Sequence, residues 1–169
     1  MKLSINLNKI ALLRNARGGG EPSLEVFANK AIDLGVSGLT LHPRPDHRHA
    51  TSDDVIFIAN LCKERRVEFN IEGNPFSETS EPFKGFINLV EECQPDQITL
   101  VPDSPDQITS DHGWVSGNHD NKLKDIIAKL RKISPTSRIS LFVDSIKAGQ
   151  ANLVAVDYAL FMGVNSIEV

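Results

Sequence analysis

Val67-Glu68-Phe69-Asn70-Ile71-Glu72 alternates apolar with polar residues without a break. Side chains on a strand point to opposite faces in turn, so this stretch reads as a β-strand with one apolar and one polar face. The same alternation runs through Leu3–Asn8, Gly38–His42, Gln97–Val101, Arg138–Asp144 and Val164–Val169, giving six strand candidates. Between them, apolar residues recur at helical spacing: Leu24, Phe27, Ala28, Ala31; Val55, Ile58, Ala59, Cys62; Phe83, Phe86, Ile87, Val90; Leu123, Ile126, Ile127, Leu130; Ala151, Val154, Ala155, Tyr158. Ser23, Ser52 and Ser80 are placed to act as N-caps, Pro82 falls in a first turn, and Gly35 and Gly163 stand where helices stop. The order is βα five times and then a sixth strand, which specifies a parallel sheet covered by helices.

The polar parity decides what kind of sheet. Parallel strands buried on both faces read as unbroken apolar runs, and these strands do not. An open doubly wound sheet would put the polar set under helices, where unpaired groups are costly. A barrel turns that set into its interior, toward substrate and water. The expectation is therefore a TIM-type (β/α)8 barrel with a polar mouth, and an open six-stranded sheet is the alternative. Eight βα units take roughly 250 residues, whereas this chain has 169. The reading is a single barrel domain over residues 1–169 carrying about the first six strands, short of the last two βα units by about 70–80 residues.

Composition narrows the function classes. With 18 basic against 22 acidic residues and a net charge of −4, the chain shows no basic footprint for nucleic acid. No apolar run approaches the roughly 20 residues of a membrane span, and Met1-Lys2-Leu3-Ser4 lacks a signal peptide's apolar stretch. Two cysteines, Cys62 and Cys93, sit in helical patterns without a partner motif and read as buried thiols of a reducing compartment. A cytoplasmic domain is expected.

Catalytic groups of a barrel lie at the C-terminal ends of strands and in the following loops. After strand 1 come Asn8-Lys9 and then Leu13-Arg14-Asn15-Ala16-Arg17-Gly18-Gly19-Gly20, read as a loop in which arginines and glycines suit a phosphate as well as they suit a solvated turn. Strand 2 ends in His42-Pro43-Arg44-Pro45-Asp46-His47-Arg48-His49. His42 keeps the polar parity and is the best acid/base candidate, while Arg44, Arg48 and His49 suit a second anion. Glu72 ends strand 3 with the same parity, and a carboxylate beside an imidazole is a proton-transfer pair. Strand 4 leads into a long loop, Pro102 to about Asn118, with hydroxyls at Thr109 and Ser110, possible hinges at Gly113 and Gly117, and His119 at the next helix start. Asp144 and Glu168 close strands 5 and 6.

These residues carry a family resemblance. Asn6-Leu7-Asn8-Lys9, Leu13-Arg14-Asn15-Ala16-Arg17-Gly18, Leu41 to His49, Phe69-Asn70-Ile71-Glu72 and Leu100-Val101-Pro102-Asp103, in that order and spacing, resemble the pyridoxine 5'-phosphate synthases of vitamin B6 biosynthesis. The resemblance implies a (β/α)8 barrel, an octamer, and no organic cofactor or metal. It also implies condensation of 1-deoxy-D-xylulose 5-phosphate with 3-amino-2-oxopropyl phosphate, releasing phosphate and water. His42 and Glu72 would be the acid/base residues and Glu168 would stabilise charge. Asn6 and Arg17 would hold the amino-ketone phosphate; Asn8, Lys9, Arg44, His49 and Thr109 would hold the sugar phosphate. Many members have Asp-His where this chain has Asn8-Lys9, and a further catalytic histidine and glycine-rich turns belong to the seventh and eighth units. Two other readings stand beside this one: a metal-dependent hydrolase using His47, His49 and Glu72, and a barrel that binds a phosphorylated metabolite without catalysis.

Overall fold

A computed structural model describes residues 2–104, 107, 109–117, 119–144 and 153–169, with 153 and 154 as backbone only. The elements run β1 (Ser4–Asn6), α1 (Asn8–Arg17), α2 (Leu24–Asp33), β2 (Gly38–Leu41), α3 (Ser52–Arg65), β3 (Glu68–Gly73), α4 (Phe86–Cys93), β4 (Gln97–Leu100), α5 (Asp120–Ile133), β5 (Arg138–Phe142), α6 (Leu153–Met162) and β6 (Ser166–Glu168). All six expected strands are present, five within their expected spans, while β3 starts at Glu68 and runs one residue past its expected end to Gly73. Ala151 and Asn118, named above at a helix face and a loop end, lie outside the described residues.

Every strand pairs in parallel with its neighbour in sequence, in the spatial order β1-β2-β3-β4-β5-β6. A doubly wound sheet reverses its order at a switch point, and this one never does. The sheet also curls. Glu168 on β6 reaches across β5 to Thr99 on β4 at 3.0 Å. At the opposite end Glu68 on β3 bonds Lys2, just before β1, at 2.8 Å and Arg138 on β5 at 3.1 Å. Side chains of alternate strands meeting in one layer are a feature of barrel interiors, so the chain forms a curled partial (β/α)8 barrel.

Strand parity separates two environments. Leu39, Leu41, Ile71, Ile98, Leu100 and Leu141 are fully buried under the helices, with Phe69 and Ile139 nearly so. Burying such a side chain contributes about 1.5–3 kcal/mol. The other parity carries Ser4, Asn6, Thr40, Glu68, Asn70, Glu72, Gln97, Arg138 and Glu168, all lining one concave cavity of about 350 Å³. Cys62 and Cys93 are buried and unpaired by disulfide, and burial pushes their thiols up to about 12 and about 11.

Four local readings are corrected. Residues 8–17, read as a loop, form helix α1, which has no side-chain cap and no acidic residue in its first turn and so lacks the usual start signals. Ser52 is the first helical residue of α3; the cap is Thr51, reciprocally bonded with Asp54 in a capping box. Ser80 does not cap α4 either. It exchanges backbone hydrogen bonds with Phe83 in a tight turn containing Pro82, and α4 begins after Gly85. Gly113 is no hinge: its N–H donates to Asp144 Oδ1 at 2.6 Å, and a Cβ there would lie 2.3 Å from Val143 Cα. Because the obstructing atoms are backbone, Gly113→Ala is expected to destabilise the fold by about 1–3 kcal/mol, read as a lower urea midpoint at unchanged slope.

Candidate active site

The site gathers where strands β2, β3 and β4 end. Leu41 closes β2 in the core, so the next residue, His42, turns its ring inward. Asn8, the first residue of α1, fixes the backbone at that point, its Oδ1 accepting the His42 N–H at 2.8 Å. Glu72 projects from β3, and the two buried side chains face one another, with His42 Nδ1 3.7 Å from Glu72 Oε2. The strand ends thus bring together the histidine and the carboxylate that share polar parity.

Their protonation follows from burial. Desolvation first, then the charges of Arg44 and His49, lower the His42 pKa to about 3, so the imidazole is neutral near pH 7. Glu72 moves the opposite way. Desolvation, then the negative charge of Glu168 and a hydrogen bond to it, hold its pKa well above the ordinary carboxyl range, while Asn6 opposes the rise by donating to Oε2 at 3.3 Å. A carboxyl of raised pKa beside an imidazole of lowered pKa brings the two affinities for a proton toward one another, which suits proton exchange between them.

The anion-seeking residues divide into two groups. Arg44 is buried and engaged: it donates to Asp103 Oδ2 at 2.5 Å and to the Gln107 carbonyl at 2.7 Å, while its Nε is buried without a partner. His49 is half-buried with Nδ1 unpartnered, and burial, with Arg44 next, lowers its pKa. Asn15 clamps this segment by donating from one amide to the carbonyls of His47, Arg48 and His49 at 2.7–3.1 Å. Asn6, Lys9, Arg17 and Thr109 are exposed, Lys9 and Arg17 on α1 and Thr109 in the loop after β4. Arg14 is not placed for phosphate, because it spends its guanidinium on Asp54 at 2.6 and 2.7 Å. His47 packs its ring against Phe83. Among the described residues, no three His, Cys, Asp or Glu side chains are grouped so as to hold a metal ion.

Several participants have no singular sequence signal. Thr99, fully buried, donates to Glu168 Oε2 and bonds Asn70 Oδ1, both at 3.0 Å, and Asn70 donates to Thr40 at 3.4 Å. This belt continues to Ser4, 3.1 Å from Thr40. Strand parity was the signal available for it. Asp103, visible only as part of a motif, lies with His42, Arg44 and Asn74 around one narrow pocket.

The family profile described as pyridoxal phosphate biosynthesis protein PdxJ matches residues 3–169. The chain belongs to the pyridoxine 5'-phosphate synthase family. It is 45% identical over 167 residues to pyridoxine 5'-phosphate synthase of Xylella fastidiosa strain M12, covering 99% of this chain and 61% of that protein. To the synthase of Xanthomonas oryzae pv. oryzae strain MAFF 311018 it is 44% identical over 166 residues, covering 96% and 64%. The chain thus spans less than two thirds of the length of these family members. More distant likeness shows the fold alone. Deoxyribose phosphate aldolase from Aeropyrum pernix superposes with a TM-score of 0.56 at 10% identity, over 98% of this chain and 60% of that one. D-psicose 3-epimerase from Clostridium cellulolyticum H10 gives 0.53 at 12% identity, over 100% and 62%. No helix among the described residues of this synthase-family chain is long and apolar enough to cross a membrane.

Proposed function

We propose that the protein is a cytoplasmic pyridoxine 5'-phosphate synthase. It would condense 1-deoxy-D-xylulose 5-phosphate with 3-amino-2-oxopropyl phosphate to pyridoxine 5'-phosphate, phosphate and water, without an organic cofactor or metal. The observation that carries this reading is the buried pair of His42, its pKa lowered, and Glu72, its pKa raised, over a polar concave face. Closing a pyridine ring from two phosphorylated ketones requires repeated proton transfers and loss of water and phosphate, with no net redox step, and an imidazole–carboxyl pair meets that need. A phosphate at Arg44 would neutralise the charge that depresses His42 and so raise its basicity when substrate is bound. Glu168, beside Glu72, would stabilise positive charge developing during ring closure.

Substrate positions follow the same division. Arg44 and His49, with Asn8, Lys9 and Thr109, are assigned to the sugar phosphate; Asn6 and Arg17 to the amino-ketone phosphate. For Arg44 this requires phosphate to enter beside Asp103. In this reading the remaining βα units of a closed barrel come from the extra length its relatives have, and the assembly is an octamer. Initial rates with both substrates test it. Arg17→Ala is expected to raise KM for the amino-ketone phosphate about tenfold or more, as loss of a charge-assisted bond of 1.5–3 kcal/mol implies, with the sugar-phosphate KM little changed. Equal losses for both would refute separate pockets, and absence of ring closure in the intact enzyme would refute the function.

A further inference from the structure

His42 sits between two carboxyl groups. Nδ1 faces Glu72 at 3.7 Å, and Nε2 faces Asp103 Oδ2 at 3.4 Å. A neutral imidazole has one N–H and one lone pair, so its two neighbours receive different atoms. Asp103 is the anionic neighbour: its Oδ2 takes the Arg44 guanidinium at 2.5 Å and the Ser110 hydroxyl at 3.0 Å. Burial raises the Asp103 pKa and Arg44 opposes that rise. Asp103 is also the only carboxylate bonded to Arg44 among the described residues, and deprotonating it spares the guanidinium an unpaired buried charge. Glu72, in contrast, has its pKa held well above the ordinary carboxyl range by burial and the nearby Glu168.

Asp103 is also held rigidly. Its backbone carbonyl accepts from Asn74 Nδ2 at 2.5 Å, and Val101 N–H bonds the Gly73 carbonyl at 2.9 Å, tying the end of β4 to β3. Arg44, Ser110 and the His42 ring converge on one oxygen of this residue.

We infer that Asp103 is a positioning residue that fixes His42 as its Nε2–H tautomer, leaving the Nδ1 lone pair turned toward Glu72 and the cavity. Nδ1 is then the atom that exchanges protons with substrate, and Asp103 acts only through the ring, as a buried carboxylate can hold a histidine in one tautomer. The consequence for turnover rests on the proposed reaction; the tautomer does not.

Nitrogen-15 NMR of the intact protein at neutral pH reads the ring directly, with His42→Asn assigning the signals. The wild type is expected to show a protonated Nε2 and an unprotonated Nδ1. Asp103→Ala removes the oxygen that Arg44 and Nε2 both face, so the Nε2–H preference is expected to be lost and Nδ1–H to appear; Asp103→Glu keeps Nε2–H. In turnover, Asp103→Ala is expected to lower kcat about a hundredfold or more, with partial recovery in Asp103→Glu. A wild-type Nδ1–H, or a folded Asp103→Ala with an unchanged tautomer, overturns the inference. If Asp103→Ala does not fold, the wild-type and Asp103→Glu spectra still decide. Loss of the Nε2–H preference in Asp103→Ala of a protein that closes no pyridine ring supports Asp103's role and counts against the proposed reaction alone.

Discussion

Glu72→Gln is expected to bind both phosphoesters and turn over almost none of them. The amide is nearly isosteric with the carboxyl, so its oxygen can still accept from Asn6, which donates to Glu72 at 3.3 Å. What disappears is the exchangeable proton. A positioned acid or base typically contributes about 10²–10⁴-fold to rate, and the proposed reaction would call on it more than once, so kcat should fall by at least about a hundredfold with both KM values within a few-fold. Steady-state kinetics check this. Turnover near the wild-type rate would remove Glu72 from proton transfer and leave it as a structural carboxyl.

The second large effect concerns acid stability, where His42 and Glu72 oppose one another. His42 has its folded pKa lowered to about 3 from 6.5. Below pH 6.5 the unfolded chain takes up a proton that the folded one refuses, so stability falls with acid until about pH 3. Glu72 has its folded pKa raised from 4.5. Its contribution is fully present below pH 4.5 and is lost as pH rises through the folded value, so acidification restores stability. His49 acts with His42 and Asp103 with Glu72. Between pH 4.5 and 6.5 the terms offset one another. Removing either partner exposes the other. Urea titrations across this window should show Glu72→Gln losing up to about 1.4 kcal/mol per pH unit of acidification relative to the wild type, and His42→Asn gaining by a similar slope. Parallel curves for all three proteins would mean that neither group is shifted.

The fold and the central pair were legible for one reason. Period-two alternation sorts each strand's residues between core and cavity, and a parallel register carries that sorting across the sheet, so His42, Glu72 and Glu168 could be placed on one face before any coordinates. Helix α1 was not legible, because its start lacks a capping side chain and an acidic first turn, and it follows β1 with no turn residue between them. The fate of Arg14 was hidden too, since the partner that claims it, Asp54, lies 40 residues along the chain. Asp103 shows the same limit: a carboxylate's role depends on which donors converge on it, and Arg44, Ser110 and His42 come from two different loops.

The strictly sequential strand order bears on how the protein comes to life on the ribosome. Synthesis delivers β1 first and β6 last, and each new strand docks on the one just made, so the curl can grow in the direction of translation. Yet the raised pKa of Glu72 owes part of its rise, after burial, to Glu168, which is made 96 residues later. The nascent chain therefore places His42 and Glu72 side by side before the last carboxylate of that layer has joined them, and the electrostatics of the pair are complete only once β6 has docked.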